Sequence, residues 1–262
     1  MSKSKERKMQ RLKESRLIDN GLMDAFFDDN KEAAELLIRI ILNRDDITVI
    51  NANTERYLIN LLGRSIKLDI HAQDKDGKRF DVEFQRDDRG TDVRRARYHS
   101  AMLDSHMLNP GDYYDKLKDS YVIFITENDV LNSGKPLNRI ERINMNSGEQ
   151  FNDGEHIMYV NGADKDCSTE LGKLMHDLYC ENPDDMFFSI LADKMRYFKT
   201  NDRGINSVMK YYDKWDLETI EEEKIEIAMN MIMKDKFTIE DIADVTGLSV
   251  EKVTELAQAK AV

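Results

Sequence analysis

The stretch LDIHAQDKDGKRFDVEFQ, residues 68–85, decides the architecture of the chain. Leu68, Ile70 and Ala72 alternate with Asp69, His71 and Gln73, and Phe80, Val82 and Phe84 alternate with Asp81, Glu83 and Gln85. A period of two marks a β-strand, because successive side chains point to opposite faces. The turn signal Asp76-Gly77 lies between the runs. Together they predict a hairpin with one apolar and one solvated polar face. A hairpin centred on Asp76 sets Asp69 and Glu83 as cross-strand neighbours on the polar face, and a slip of one residue would separate them.

Working outward, KEAAELLIRIIL spaces Ala34, Leu37, Ile38 and Ile41 as one helical face, so 31–43 reads as an amphipathic helix. Residues 47–52 read as a strand. After the hairpin, Gly90 and Thr91 introduce a helix that runs to Leu108, where Asn109-Pro110-Gly111 stops it. YVIFIT, in the strand 120–126, is an unbroken apolar run and predicts a central strand covered on both faces. HIMYV (156–160) predicts a further strand, followed by helices at about 168–180 and 184–199, the latter opened by Pro183. The core is therefore mixed α/β.

The whole chain has 262 residues, room for one well-filled domain and an appendage. We divide it into a basic tail (1–16), a core domain (17–203) and an acidic helical segment (204–262). The tail holds seven basic and two acidic residues, the stretch 218–262 five basic and eleven acidic, and the net charge is −12. Such an acidic chain does not suit a sequence-independent nucleic-acid coat. No apolar run approaches membrane-spanning length and no secretory leader is legible, so the expectation is a cytoplasmic protein. Cys167 and Cys180 have no CxxC spacing, which speaks against a zinc site.

At the C-terminus, Thr238 and Asp241 form a capping box, Gly247 marks a stop and Ser249 can cap another helix. The spacing is that of a helix-turn-helix. SVEKVTELAQ carries Glu251 and Glu255 and no arginine or asparagine to read bases, so packing or homo-oligomerisation is the preferred role. The methionines of IEIAMNMIM (225–233) suit a packing stripe. Asp45-Asp46 and Glu221-Glu222-Glu223 read as solvated charge runs.

Two facing carboxylates repel unless a cation neutralises them or one is protonated. Mg²⁺ (or Mn²⁺) takes oxygen ligands and would resolve the conflict, and Gln85 on the same face could position an attacking water. Alternation alone favours a plain solvated hairpin face over a metal site.

The order of motifs goes further. D-x13-E-x-Q across a hairpin, followed by a helix bearing RRARYHS, resembles the PD-(D/E)XK nuclease superfamily. Within it the chain is similar to the Rpn family of recombination-promoting nucleases and transposases. The likeness runs from about residue 17 to 200 and includes LIDNGLMDAFFDDNKEAAELLIRIIL, YVIFITENDV and GKLMHDLYC. The resemblance implies a restriction-endonuclease-like central mixed sheet flanked by helices, with a helical C-terminal segment. It implies Asp69 and Glu83 as divalent-metal ligands, the main-chain carbonyl of Phe84 as a further ligand, and hydrolysis of phosphodiester bonds in DNA. An additional acid from the first helical region often completes such sites, and Asp19, Asp24 and Glu35 are the candidates. Two departures stand out: no proline precedes Asp69, and Gln85 occupies the place of the usual lysine. A neutral amide lends no positive charge to the transition state.

On the helix after the hairpin, Arg94, Arg97 and Tyr98 share one face and offer phosphate contacts, while Asp87, Asp88 and Asp92 dilute the charge. A merely solvated charged face is the equal alternative. His99 and His106 read as structural, and His71 as either a substrate contact or a solvated side chain. Two functional expectations follow: a Mg²⁺-dependent DNA endonuclease linked to recombination or transposition, or a catalytically impaired nuclease-fold module that binds DNA or protein.

Overall fold

A computed structural model of the chain describes residues 3–60, 64–86, 92–234 and 236–260. Asp87, Asp88, Gly90 and Thr91, read above as charge dilution and a helix start, lie outside these residues. Two compact units divide between Val208 and Met209.

The first unit is built on six strands: β1 (Val49–Leu58), β2 (Ile66–Asp74), β3 (Arg79–Gln85), β4 (Ser120–Thr126), β5 (Leu137–Ile140) and β6 (Glu155–Asn161). They form one mixed sheet in the order β1-β2-β3-β4-β6-β5. The β1, β2 and β3 meander is antiparallel, β3, β4 and β6 are parallel, and β5 returns antiparallel at the edge. All seven residues of β4 are buried, as its apolar run requires in mid-sheet. The short strand β5 escapes the sequence patterning because LNRI has no run long enough to declare a period.

Helices cover both faces. On one side lies α4 (Val93–Ser105), whose Ala96, Met102 and Leu103 share a core with Leu58, Leu68, Val122, Phe124 and Tyr159. On the other lie α2 (Leu22–Phe27), α3 (Lys31–Leu42), α5 (Glu170–Tyr179) and α6 (Ser189–Thr200). Alternation along β3 separates the faces: Phe84 packs on Phe27 of α2 with ring centroids 6.1 Å apart, whereas Glu83 meets α4. Asn30 caps α3 through Ala33 N–H, and Asn43, with φ +53°, ends it.

Two readings need correction. The basic N-terminal stretch contains a helix, α1 (Lys3–Glu14), that buries Leu12 at 1% exposure. Pro183 opens a single 3-10 turn, Pro183–Asp185, and α6 starts at Ser189. The link to α6 is tied to α5 by Asp177, wholly buried, which accepts hydrogen bonds from the N–H groups of Phe187 (2.9 Å) and Phe188 (2.8 Å).

The second unit takes α7 (Asp202–Lys234) from Met209 onward, with α8 (Ile239–Thr246) and α9 (Val250–Lys260). Ala228, Ile242, Ala243 and Val253 form its core, with Met231 and Ile232 packed against them. Thr238 and Asp241 exchange capping hydrogen bonds of 3.1 Å, and Gly247 adopts φ +67°.

Asp177→Ala strands two amide donors, and removing a partner from a buried donor costs about 1–3 kcal/mol each. We expect a large fall in the urea midpoint for Asp177→Ala and a smaller one for Asp177→Asn, whose amide oxygen still accepts. Equal midpoints for alanine and parent would show that the link holds without this carboxylate.

Candidate metal centre and active site

The hairpin register is centred on Asp76, with Ile70 opposite Val82 and His71 opposite Asp81. At the next position the ladder changes character. Among the described residues of β2, Asp69 is skipped by the ladders to both β1 and β3, and Glu55 on the β1 side has φ +53°. Side chains take over: Asp69 N–H donates to Glu83 Oε1 (3.1 Å), and Phe84 N–H donates to Asp69 Oδ2 (2.8 Å). The two carboxylates are therefore fixed by each other's strand.

The polar face is not solvated, contrary to the sequence reading. Asp81 and Glu83 are both fully buried, and α4 covers them. Arg95 Nη2 donates to Glu83 Oε2, and His99 Nδ1 lies 2.7 Å from Asp81 Oδ2. Arg95 Nε donates to His99 Nε2 at 3.3 Å. His71 is not solvated: it is buried beside Arg56 Nη1 (3.1 Å), and burial with the charges of Arg56 and Arg79 drives its pKa down to about 3.

Burial is the main force on the carboxylates. It raises Asp69, Asp81 and Glu83 far above the ordinary carboxylate range, helped by repulsion from Glu83 on Asp69, from Asp69 on Asp81 and from Asp81 on Glu83. Asp24 of α2 belongs to the same field. Burial and the charges of Glu55 and Asp69 raise it to about 7.

The three candidate acids have different surroundings. The charge of Asp69 is among the causes that raise Asp24. Asp19 is held by Arg16 (3.0 Å) and Arg86 (3.2 Å), and Glu35 by Arg39 (2.8 Å) and Val49 N–H (2.8 Å). Gln85 ends β3, partly exposed and paired with Thr126 of β4. Arg94 and Arg97 are exposed, whereas Tyr98 is half-buried, its hydroxyl donating to Arg64 O and accepting from Asn60 Nδ2 (3.1 Å). The one-face trio thus splits into two solvent-facing arginines and a pinned tyrosine. Sequence reasoning missed Arg95, Asp81 and His99. Their spacings, i and i+2 on a strand against i and i+4 on a helix, were the available clue.

A family model described as PD-(D/E)XK nuclease family transposase matches residues 27–240. The chain belongs to this family. No curated protein and no solved structure matches it. For a nuclease-family transposase the hairpin acids are the place to ask whether a divalent ion fits, since PD-(D/E)XK nucleases use one. The donor set does fit: Asp69 and Glu83 meet through each other's strand, ligand atoms of the buried Asp81 and Glu83 lie within 4.8 Å of each other, and buried Asp81 Oδ1 has no hydrogen-bond partner. Hard oxygen donors that repel one another in low dielectric are neutralised best by a hard cation.

The sign of the pH dependence follows. Carboxylates raised to about 8 in the fold, from ordinary values near 4, favour folding fully below pH 4 and lose that contribution as pH climbs through 8. An ion that needs the ionised form acts oppositely. We expect Mn²⁺ or Mg²⁺ to raise Tm more at pH 8.5 than at pH 5.5. An equal shift at both would place the ion elsewhere.

Proposed function

We propose that this nuclease-family transposase is a divalent-metal-dependent DNA endonuclease, acting in the strand breakage that transposition or recombination requires. One observation carries the reading: the reciprocal hold of Asp69 and Glu83, each carboxylate receiving a main-chain N–H of the other strand where the ladders stop. A fold has no structural need to put like charges together there, and their repulsion is relieved by a cation.

Asp69 and Glu83 would hold the ion, with the Phe84 carbonyl as a further ligand. When bound, such an ion supplies charge to polarise the scissile phosphate and lowers the pKa of an attacking water. Gln85, at the open end of β3, can orient that water through its amide. Asp24 adds a carboxylate from α2. Arg94 and Arg97, both exposed on α4, offer bidentate contacts to flanking phosphates. The neutral Gln85 is the observation that favours a second reading, a silent nuclease-fold module that binds DNA without cutting it.

Plasmid nicking separates the readings. With Mg²⁺ or Mn²⁺ the parent should nick DNA, and Asp69→Asn or Glu83→Gln should abolish nicking while folding at least as stably without metal, because a repelling charge is gone. Parent-like cutting by both variants would remove these acids from the site.

Arg94→Ala and Arg97→Ala should each weaken binding across sequences and flatten the log–log salt slope by about one. Unchanged slopes for both would assign the arginines to a merely solvated face.

A further inference from the structure

The superfamily pattern that the chain resembles has a lysine where this chain has Gln85, and this position therefore brings no positive charge to the reaction. Arg95 of α4 contacts the Asp69–Glu83 pair through Glu83 Oε2. We propose that Arg95 takes the place of the missing lysine as the positive charge facing the scissile phosphate, and that His99 and Asp81 hold it there. The proposal rests on the nuclease reading above and names a residue that reading does not use.

The geometry is that of a built support. Arginine can only donate, so the 3.3 Å bond from Arg95 Nε makes His99 Nε2 the acceptor. Nδ1 then carries the proton and donates to Asp81 Oδ2 at 2.7 Å. The four side chains close a ring, Asp81 to His99 to Arg95 to Glu83, between two residues two apart on β3 and two residues four apart on α4. These spacings match: two strand residues rise about 6.6 Å and four helical residues about 6 Å. Phe124 floors the ring, with the Arg95 guanidinium carbon 5.6 Å from its centroid. Asp81 and His99 are nearly sealed from water, whereas the Arg95 side chain keeps 35% of its surface. The guanidinium is thus anchored on Glu83 and His99 while part of its surface reaches solvent.

Its chemistry suits the task. Arginine stays charged at every working pH and presents a planar fork to phosphate oxygens. Arg95 exchanges no proton in the step. The attacking water forms the new P–O bond as hydroxide, the ester P–O bond breaks, and the water proton ends on the departing oxygen. The arginine opposes the charge that accumulates on the phosphate oxygens between these events. Lys67 is the rival cation near Asp69, but its Nζ is bound to Glu55 Oε1 at 2.7 Å.

The test compares the full-length parent, Arg95→Ala, Arg95→Lys, Gln85→Lys, the double variant Arg95→Ala/Gln85→Lys, and Lys67→Ala. Plasmid nicking gives kcat, and calorimetry gives Mn²⁺ affinity in the absence of DNA. Arg95→Ala should lose about a hundredfold or more in kcat, the usual effect of removing one electrostatic stabiliser. It should bind Mn²⁺ at least as tightly as the parent, because a competing positive charge has left. Arg95→Lys, which keeps charge and helix packing, should stay within about tenfold of the parent. Lysine at 85 should restore most of the loss in the double variant, a rescue that a purely structural arginine would not permit. The proposal is overturned if Arg95→Ala cuts like the parent, if Mn²⁺ affinity collapses with it, if lysine at 85 does not rescue, if Arg95→Lys is as dead as alanine, or if the rescuable loss follows Lys67→Ala instead. A parent that binds Mn²⁺ yet never nicks DNA overturns the nuclease reading, and the role of Arg95 falls with it.

Discussion

Two carboxylates of one hairpin, Asp81 and Glu83, are held out of water beside a third, the half-buried Asp69, and the surrounding structure is arranged to tolerate them. Burying an ionised carboxylate is costly unless it is paired, hydrogen-bonded or protonated. Each solution is visible. Main-chain amides serve Asp69 and Glu83, Arg95 serves Glu83, and His99 serves Asp81. Buried Asp81 Oδ1 remains without a partner. The repulsion among these carboxylates is the feature on which the proposal of a cation at this corner rests.

That constraint explains where regular pairing stops. An unbroken β1-β2-β3 ladder would satisfy Asp69 N–H and Phe84 N–H with carbonyls and leave the carboxylates without their donors. Instead the ladders skip Asp69, Glu55 takes a left-handed conformation, and the freed amides turn to side chains. The break also brings Asp24 of α2 into the field of Asp69. Two layers on opposite sides of the sheet, α2 and α4, thereby contribute to one corner of it.

The parallel core supplies the rigidity this corner needs. β3 is fixed along its length to β4, from Arg79 opposite Ser120 to Gln85 opposite Thr126, and β4 is buried throughout. Phe124, at the level of Glu83, floors Arg95 and stacks on Tyr159. Catalytic and ligand side chains held on strands keep their geometry better than those on loops.

Much was legible in the chain of residues alone. Alternation and the Asp76-Gly77 turn determined the hairpin, its register and the approach of Asp69 to Glu83. Apolar periodicity determined α3 and the central place of β4, and the order of motifs pointed to the nuclease family. These are local properties, carried by periods of two and 3.6 residues and by turn chemistry. Tertiary structure alone decided that the polar face is covered, that Asp19 and Glu35 are paired with arginines, and that Arg95 rather than Arg94 or Arg97 turns inward. The reason is physical: an alternating pattern assigns residues to two faces, but which face meets water depends on a helix packed from elsewhere in the chain. A charged residue inside depends, in turn, on the partner that helix happens to bring.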